Sequence, residues 1–533
     1  MKQKPIKVLV LTDGIVVNKW IFDIIQFVLN SNYFELNGLV INTGKTVSNS
    51  SFFYRLLRLF DRKLFTSKTN PFQSIKLLFD DNLIHYTTPI QKQFSDWMDE
   101  ECLDFIKDKN PDIILRFGFR ILRGPILGIP KFGIWSLHHG DNKVNRGGPP
   151  AFWEVIYGDS ISGITLQQIT ENLDGGKVLG RAFVKTDFTS FNRNQVVVYE
   201  TGTRLFKEKL REFAEDNLKS EDVDFNFYSN RLYKNPSNSL SLIIIFKFLF
   251  KSIKRSLLSN IYEQQWVISH SKTNNDEKSI YRYQQLKPPK GISWADPFPV
   301  LFENKLWLFA EEFKRNQNGK IVCFEYDYSK RQFLNPKSVI EKPYHLSYPF
   351  VFLYQDEWFM IPETGDSSKV ILFKSSQFPY QWEEHSVLVE NIKLYDVTPF
   401  EFKGIWYCFA SERIANSTSP NDLLNLYILK DGPLGKWEKH PKSPVKIDAR
   451  GGRSAGRIFA KDNKIYRPAQ LGAPKYGYGI QFYEIITLDE YNYEEVVVDT
   501  ILPNWDADLL ATHTYNEVDG WQFIDFQRKV RRF

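Results

Sequence analysis

The 533-residue sequence has few cysteines and no long apolar run. Its three cysteines, Cys102, Cys323 and Cys408, are odd in number and far apart. This excludes a disulfide framework and a CxxC metal motif, and it favours a reducing, cytosolic compartment. No stretch reaches the roughly 18 uninterrupted apolar residues of a membrane-spanning helix. The N-terminal run KVLVL is brief and is followed by TDG, so we predict a first strand there and not a signal peptide.

Neither sign of charge dominates, because 69 Lys and Arg face 63 Asp and Glu, a formal net charge of +6. Over this length such an excess does not indicate a nucleic-acid partner. The eight histidines lack metal-ligand spacing, so no metal site is predicted. The apolar share of 42% and the charged share of 25% are those of a globular protein. A single core stops growing at about 250–300 residues, so we expect more than one domain.

Aromatic residues are abundant, at 16% of the chain. Some of them lie in two basic, Phe- and Leu-rich segments, residues 51–79 and 239–258. Both segments read as amphipathic helices. They either bury their apolar faces on the protein itself or lie in a membrane interface. A peripheral membrane contact is therefore one of two open interpretations.

The N-terminal half alternates short apolar runs with stretches of helical spacing, which predicts a mostly parallel α/β sheet. The predicted strands are Lys7–Leu11, Leu36–Asn42, Asp112–Phe117, Gly133–Leu137 and Ile161–Ile169. The predicted helices are Trp20–Leu29, Phe94–Lys107, a stretch near Leu122, and Ala151–Tyr157. Ligands of such sheets bind beyond the carboxyl ends of the strands.

A polar segment, residues 135–153, follows one of these strand ends. It contains the adjacent histidines His138 and His139 and then a Gly-Gly-Pro-Pro loop, which permits close backbone approach. Further along, Asp174 precedes a pair of glycines. Asp174 is either a turn residue or a carboxylate facing His138 across the sheet end. Such a pair could move a proton.

A resemblance to the N-terminal domain of the folate-dependent formyltransferases is carried by three motifs in order: SLHHG, NRGGPPAFW and GDSISGITLQQITENLDGGKVL. That family includes methionyl-tRNA, glycinamide ribonucleotide and sugar N-formyltransferases. Its signature runs Asn-x-His, a loop ending in Arg-Gly, then TG(V/I)T and LD(T/G)G. The resemblance covers about residues 1–225, with an insertion at about 45–80, and it implies a Rossmann-like domain that uses 10-formyltetrahydrofolate.

The resemblance also implies roles for single residues. His138 and Asp174 match the catalytic histidine and aspartate that assist attack of an amine on the formyl group. Ser136 stands where the family has an Asn that hydrogen-bonds the formyl oxygen. Losing one such donor costs about 10²–10³ in rate, although a Ser hydroxyl can still donate. Arg146 and Gly147 match the Arg-Gly of the substrate loop. His139 is a candidate to compensate for the missing Asn.

The C-terminal half contains a repeat of about 50 residues. Its central aromatics are Trp307, Trp358, Trp406, Tyr466 and Trp521. Each unit reads as a hairpin with a polar turn (ENK, QDE, FKG, KDN and EVDG) followed by a further strand pair. Five such units are typical of a five-bladed β-propeller over residues 275–533. Residues 226–274 are then a linker that contains the second basic helix.

The repeat register places polar residues where the inner strands of a propeller meet its central channel. Two interpretations remain open: a structural network in which the arginines pair with the carboxylates, or a sugar-binding pocket. The residues concerned are Asp296, Glu312, Tyr348, Glu363, Asp396, Glu412, Arg453, Arg457, Arg467, His513 and Thr514.

A second resemblance is carried by ADPF, HLSYPFVF, IPET, FPYQW, ARGGRSAGRIF and YRPAQ. These motifs resemble the propeller of plant glucosamine inositolphosphorylceramide transferases and their bacterial relatives. More distantly, they are similar to five-bladed glycoside hydrolases, which use a base Asp and an acid Glu. Asp296 matches that base. The fourth repeat opens with Arg450-Gly-Gly-Arg453 in place of an acidic residue, which disfavours hydrolysis but is compatible with glycan binding.

Together these features predict an enzyme that N-formylates an amino sugar, as a sugar nucleotide or a lipid-linked glycan, in surface polysaccharide assembly. It would act in the cytoplasm or at the inner face of the membrane. One alternative is a carbohydrate-active propeller that transfers or cleaves glycosyl groups through Asp296 with Glu363 or Asp396. Another is a non-catalytic, membrane-peripheral glycan-binding scaffold. tRNA formylation is disfavoured, because a propeller stands in place of the small basic C-terminal barrel.

Overall fold

The structure is a computed structural model. It describes residues 4–44, 50–67, 69–144, 146–171, 176–216, 218–221, 232–272, 279–415 and 418–532. The chain divides into two compact units, Met1–Phe248 with Ile414–Thr418, and Leu249–Arg413 with Ser419–Phe533. Among the described residues, no helix has the length and apolar character needed to cross a membrane.

The first unit alternates strands with helices. Its strands are β1 (Ile6–Thr12), β2 (Val16–Asn18), β3 (Phe34–Asn42), β4 (Ser74–Lys76), β5 (Ile84–Thr87), β6 (Ile90–Lys92), β7 (Ser95–Trp97), β8 (Ile113–Arg116), β9 (Ile121–Arg123), β10 (Ile134–His138), β11 (Arg146–Gly147), β12 (Ile161–Ile169), β13 (Lys177–Lys185) and β14 (Leu232–Tyr233). The helices are α1 (Lys19–Leu29), α2 (Phe52–Leu64), α3 (Glu100–Lys109), α4 (Trp153–Tyr157), α5 (Phe191–Ala214) and α6 (Asn238–Ile261), which continues into the residues of the second unit.

Seven of these strands form one sheet, in the order β13-β12-β10-β8-β1-β3-β5. The strands from β10 to β5 are parallel, and β12 and β13 add an antiparallel edge. The inner strands are apolar throughout because both faces of the sheet are covered. Leu9 and Ile134 pack with Ile106 of α3 on one face, whereas Trp135 contacts Phe206 and Phe213 of α5 on the other. The predicted mostly parallel α/β sheet is confirmed.

Two element predictions in this unit were wrong. The helix expected over Phe94–Lys107 begins only at Glu100, because the Asp99 side chain accepts a hydrogen bond from the Cys102 N–H and caps it. The residues before it form β7. The stretch near Leu122 forms β9 and a short 3-10 turn, because Gly124 adopts a left-handed φ of 84° and a proline follows it.

The second unit contains five antiparallel sheets. Its strands are β15 (Tyr262–Lys272), β16 (Gln284–Leu286), β17 (Ile292–Phe302), β18 (Lys305–Lys314), β19 (Lys320–Asp327), β20 (Gln332–Phe333), β21 (Lys337–Ile340), β22 (Ser347–Tyr354), β23 (Glu357–Glu363), β24 (Lys369–Gln377), β25 (Gln381–Glu390), β26 (Leu394–Phe402), β27 (Ile405–Glu412), β28 (Leu423–Lys430), β29 (Lys436–Lys439), β30 (Lys446–Ile447), β31 (Arg450–Ser454), β32 (Phe459–Lys461), β33 (Lys464–Leu471), β34 (Gly479–Leu488), β35 (Tyr493–Ile501), β36 (Leu509–Ala511), β37 (Tyr515–Val518) and β38 (Trp521–Arg531).

The five predicted hairpins are present, and each turns on two residues with positive φ. Such pairs suit the right-handed twist of a hairpin and favour Asn, Asp and Gly. The pairs are Glu303-Asn304, Gln355-Asp356, Lys403-Gly404, Asp462-Asn463 and Asp519-Gly520. One sheet joins the two ends of the unit, because β15 pairs along its whole length with β38.

The predicted linker, residues 226–274, is only partly described. Its first part is described from residue 232 onward, where the chain forms β14 and enters α6. Its last part differs from the prediction, because Tyr262–Lys272 form β15, in which Ser269 and His270 are buried. The polar residues there pair with β38 as a strand.

Candidate functional site

Strand β10 holds two of the predicted site residues of the first unit. Side chains alternate along a strand, and Ile134 packs on the α3 face, so Ser136 and His138 lie on that same face. His138 ends the strand and pairs with Thr165 of β12. Ser136 is 3% exposed, and His138 is half-buried. The sheet thus places both residues together at a carboxyl strand end.

Arg116, at the end of β8, contacts Ser136 directly and was not singled out in the sequence. Its Nη1 donates to the Ser136 hydroxyl oxygen at 2.8 Å. Its Nη2 donates to the carbonyls of Phe119 and Arg120, both at 2.7 Å, which fixes the guanidinium. Burial lowers the pKa of Arg116, and Asp13 raises it. The Ser136 oxygen therefore accepts from a cation, which polarises its O–H bond for donation to another group.

The chain that leaves β10 is held against β12. The Thr165 hydroxyl donates to the Gly140 carbonyl at 3.1 Å and accepts from the Asn142 N–H at 3.4 Å. Gly163 allows this close approach, since a Cβ there would lie 2.6 Å from the Asp141 Cβ. The segment directly after His138 is consequently fixed over the sheet end.

The predicted Arg146-Gly147 pair forms β11, which runs parallel to Leu232-Tyr233. Gly147 has a φ of 85°, and a Cβ there would lie 2.2 Å from the Tyr233 carbonyl oxygen, so only glycine fits. Asp174 lies outside the described residues, as does the side chain of Arg146. The proposed pairing of His138 with Asp174 stays a prediction.

His139 lies on the other face of the sheet. Its ring stacks on Tyr199 of α5 with centroids 3.7 Å apart and meets the edge of Trp20 at 5.3 Å. Burial, and to a smaller extent the neighbouring His138, lower the pKa of His139 to about 3. Its buried Nε2 has no hydrogen-bond partner among the described residues. The alternation of the strand thus separates His139 from Ser136, whose missing amide it was expected to replace.

In the second unit, three sheets begin with the same unusual backbone feature. Asp296, Tyr348 and Asp396 have left-handed φ angles of 51°, 45° and 48°, each at a register shift in the first strand of its sheet. Non-glycine residues rarely adopt this conformation, which costs about 1–3 kcal/mol and occurs most often at functional sites. All three side chains are buried and belong to polar networks.

Arg453 is the centre of the first network. Its Nε and Nη2 donate to the two Asp396 carboxylate oxygens at 2.6 and 3.0 Å, and Nη2 also donates to Glu363 at 2.6 Å. Gln470 donates to Asp396 at 2.9 Å. Burial raises the pKa of Glu363 well above its usual range, against the opposing effect of Arg453. One guanidinium therefore links two carboxyl groups that come from two different sheets.

His513 is the centre of the second network. Its Nδ1 lies 2.7 Å from an Asp525 carboxylate oxygen and 3.8 Å from Asp296. Asp296 also accepts from the Thr514 hydroxyl at 2.6 Å and from the Tyr348 N–H at 3.1 Å. Burial lowers the pKa of His513, but the two aspartates raise it overall, to about 9. The protonated imidazole thus compensates the buried carboxylates.

The residues Asp296, His513 and Asp525 are also grouped closely enough to hold a metal ion. Asp525 was missed by the sequence reading. The signal that could have found it is a lone carboxylate within the apolar run of β38, because an unpaired buried charge is costly. Burial raises the pKa of Asp296 to about 7, so its carboxyl group is poised to gain or lose a proton near neutral pH.

Some predicted channel residues lie outside both networks. Their partners are elsewhere: Glu312 bonds Trp294 and Lys320, Glu412 bonds Asn425, Arg467 bonds Glu495, and Arg457 bonds the Val351 carbonyl. Register explains the first two. Glu363 pairs with Ser347, the residue before the register shift in its sheet. The residues at the same position in the other two sheets are Glu311, which pairs with Ala295, and Ser411, which pairs with Tyr395. Glu312 and Glu412 are each one residue further along their strands. A shift of one residue along a strand turns a side chain to the other face.

The hydrogen bonds of Asp296 and Asp396 determine whether either carboxylate is free to act in glycoside hydrolysis. Both oxygens of Asp296 accept hydrogen bonds, and both oxygens of Asp396 accept from Arg453. A glycosidase needs one carboxylate free to act on the sugar or on water and a separate acid. The observed pairing disfavours hydrolysis by these carboxylates.

Known proteins resemble two different parts of the chain. The family described as "Glucosamine inositolphosphorylceramide transferase 1, N-terminal" matches residues 289–516. Glucosamine inositolphosphorylceramide transferase 1 of Oryza sativa subsp. japonica is 31% identical over 210 residues, which are 38% of this chain and 28% of that protein. The chain therefore spans little more than a quarter of the length of that relative.

The second group of relatives is formed by formyltransferases. Methionyl-tRNA formyltransferase of Clostridioides difficile (strain 630) is 31% identical over 166 residues, 31% of this chain and 52% of that protein. A solved N-formyltransferase of Helicobacter canadensis, in complex with folinic acid and dTDP-3-aminofucose, is 12% identical, covers 57% of this chain and 95% of its own, and has a TM-score of 0.30. Both resemblances read from the sequence motifs are thus confirmed: this chain joins a formyltransferase-like part to a part similar to glucosamine inositolphosphorylceramide transferases.

Proposed function

We propose that the first unit transfers a formyl group from 10-formyltetrahydrofolate to the amine of an amino sugar. The observation that carries this proposal is His138 at the carboxyl end of β10, beside a polarised Ser136 hydroxyl, in a chain related to methionyl-tRNA formyltransferase. Formyl-folate, when bound, supplies the carbon that is transferred. The residues fit such a group, because no acceptor for the Ser136 hydroxyl hydrogen is found in the described part of the chain.

The chain's own residues then have distinct tasks. The amine would form a bond to the formyl carbon while the bond between that carbon and the folate nitrogen breaks. His138 would take the proton that the amine loses and return it to the departing folate nitrogen, which is general acid–base catalysis. Ser136 donates a hydrogen bond to the formyl oxygen, which gains negative charge as the amine attacks. Arg116 polarises this hydroxyl by donating a hydrogen bond to its oxygen. Asp174 supports His138, and the loop at Arg146-Gly147 contacts the acceptor, as the family resemblance implies. A hydroxyl activated by a cation takes the place of the amide donor of the family.

The acceptor is proposed to be a sugar amine, as a nucleotide sugar or a lipid-linked glycan, because of the second unit. Its five antiparallel sheets are interpreted as the blades of a five-bladed propeller, and β15, within the predicted linker of residues 226–274, is a strand of one of these sheets. The similarity of residues 289–516 to the family described as "Glucosamine inositolphosphorylceramide transferase 1, N-terminal" supports a glycan as the ligand of this unit. The two units would act on one surface polysaccharide pathway, in the cytoplasm.

The test is turnover by the purified full chain. 10-Formyltetrahydrofolate is incubated with a panel of amino-sugar nucleotides, and tetrahydrofolate release is measured together with the N-formyl product. We expect product with at least one amino sugar, and its loss in His138→Ala. His385→Ala is the matched control, because His385 is exposed on β25. Absence of folate turnover with every amine, or equal turnover by His138→Ala, overturns the proposal.

A second candidate function is glycosyl transfer or glycan binding by the second unit. It is favoured by the buried Asp296 with its raised pKa and by the strained backbone at Asp296 and Asp396. Asp296→Asn distinguishes this candidate from the first. Loss of glycan binding or processing with unchanged formyl transfer supports the second function, and unchanged glycan behaviour excludes a catalytic role for Asp296.

A further inference from the structure

Helix α6 buries only one of its faces. Ser241 and Ile244 are fully buried, and Ile245 and Phe248 are half-buried. Ile244 packs in a cluster that also contains Tyr54 of α2. These positions follow the 3.6-residue period of one helix side. Many of the other described side chains of the helix are apolar and yet exposed: Leu242, Ile243, Phe246, Leu249, Phe250, Ile253 and Leu258.

The open surface carries an apolar stripe. Leu242, Phe246, Leu249 and Ile253 are all exposed, and their spacing of four, three and four residues places them along one line of the helix. Phe250 lies beside this line. Phe246 is 69% exposed and Phe250 is 70% exposed. Large aromatic residues so exposed in a continuous row mark an interaction surface.

A row of lysines borders this stripe. Lys247, Lys251 and Lys254 are exposed and follow one another at helical spacing on the flank of the apolar line. Residues 238–261 contain neither Asp nor Glu. The helix therefore presents an apolar sector with a basic sector next to it, and no charge of opposite sign within the helix.

Helix α2 extends this character. Its exposed apolar side chains include Phe60 and Leu64, and Arg62 and Lys63 lie exposed between them. The N-terminal ends of α2 and α6 are joined, because the Phe53 N–H donates to the Asn238 side-chain oxygen at 3.0 Å. Both exposed strips therefore start at neighbouring points of the first unit. We call the exposed residues of α2 and α6 the α2/α6 surface.

We infer that the α2/α6 surface binds the face of a lipid bilayer that contains anionic lipids. Phe and Leu side chains on one helix sector enter the boundary between headgroups and acyl chains, and lysines at the flank bind anionic headgroups. Charge complementarity decides between this partner and a second copy of the chain. A two-fold contact between copies would bring like-charged lysine rows together. If the proposed formyl transfer is correct, this contact also brings the first unit to lipid-linked acceptors.

The experiment is co-sedimentation of the full chain with vesicles of phosphatidylcholine alone or with 30% phosphatidylglycerol, at about 0.15 M salt. We expect binding to the anionic vesicles. Phe246→Ser with Phe250→Ser should weaken it by about tenfold or more. Each Lys→Gln change at Lys247 or Lys251 should weaken it roughly fivefold and reduce the preference for anionic lipid. The control pair is Val496→Ser with Val498→Ser, which removes comparably exposed apolar side chains from β35.

The outcomes separate this inference from the proposed enzyme activity. Formyl transfer to a soluble sugar nucleotide should be unchanged in all these variants, since none of them touches β10. Equal sedimentation of the wild type and the phenylalanine variant overturns the inference, and so does an effect of the β35 control of the same size. A wild-type oligomer that the phenylalanine variant converts to monomers, without vesicle binding, also overturns it and assigns the surface to self-association. Neither result alters the activity test of His138.

Discussion

Replacing Arg453 by methionine removes the cation that links Glu363 and Asp396. Methionine has a similar length and leaves the packing largely intact, so the change isolates the charge. In the wild-type protein the Arg453 guanidinium makes four hydrogen bonds to acidic and amide side chains, and all the carboxyl groups concerned are at most 10% exposed. The variant would therefore leave two buried carboxyl groups without the cation that compensates them.

The magnitude follows from the burial. Removing one partner of a buried ion pair costs about 3–5 kcal/mol, because the remaining charge is uncompensated. For a unit of this size that corresponds to a fall in melting temperature of roughly 6–20 °C. The unpaired carboxyl groups escape part of this cost by taking up protons, which raises their pKa. Stability held by a raised carboxyl pKa is present at low pH and is lost as pH rises, so the deficit should grow from pH 5 to pH 8.

The assay is thermal unfolding of the full chain followed by tryptophan fluorescence, at pH 5 and at pH 8. The matched control is Arg450→Met, because Arg450 pairs with Asp448 at an exposed site, where an ion pair contributes about 0–1 kcal/mol. If the melting temperature of Arg453→Met lay within 2 °C of that of Arg450→Met, at about 2–4 °C per kcal/mol, the loss of the Arg453 cation would not cost the expected 3–5 kcal/mol. An equal deficit at both pH values would refute the protonation argument alone.

Three further predictions concern single side chains. The pKa of His513 is raised to about 9, so its contribution to stability is fully present below pH 6.5 and is lost as pH rises through 9. Unfolding measured at pH 7 and at pH 9 should reveal a loss of about 2 kcal/mol, absent in His513→Gln. Ser136→Ala should lower the rate of formyl transfer by about 10²-fold, and Ser136→Asn should retain or raise it, in steady-state assays. Gly147→Ala should weaken acceptor binding, seen as a raised KM, because its φ of 85° and the nearby Tyr233 carbonyl exclude a Cβ.

Periodicity was sufficient for the strands that carry the first site. Ile161–Ile169 is observed at its predicted bounds, and β10 differs by one residue from its prediction, because an apolar run between turn residues has few alternatives. Periodicity could not find Arg116, since its role depends on β8 lying beside β10 in the sheet. Sequence spacing contains no information on that neighbour relation.

In the second unit, the sequence repeat predicts where the hairpins turn but not the register within their strands. The repeat located the five hairpins through their turn residues, which act locally. It did not reveal the register shifts at Asp296, Tyr348 and Asp396. Because these shifts decide which of two adjacent residues faces the cluster, Glu311 and Glu312 could not be told apart from the sequence. The pairing of His513 with Asp525 is local, since His513 lies just before β37 and Asp525 lies in β38, the hairpin partner of β37.

The most direct test of the central proposal is to follow the formyl carbon itself. The full chain is incubated with isotopically labelled 10-formyltetrahydrofolate and an amino-sugar nucleotide, and the label is traced by mass spectrometry. We expect the label on the sugar nitrogen with the wild type and with Asp296→Asn, and not with His138→Ala. Label that stays with folate, or that reaches the sugar equally well without His138, contradicts the proposal.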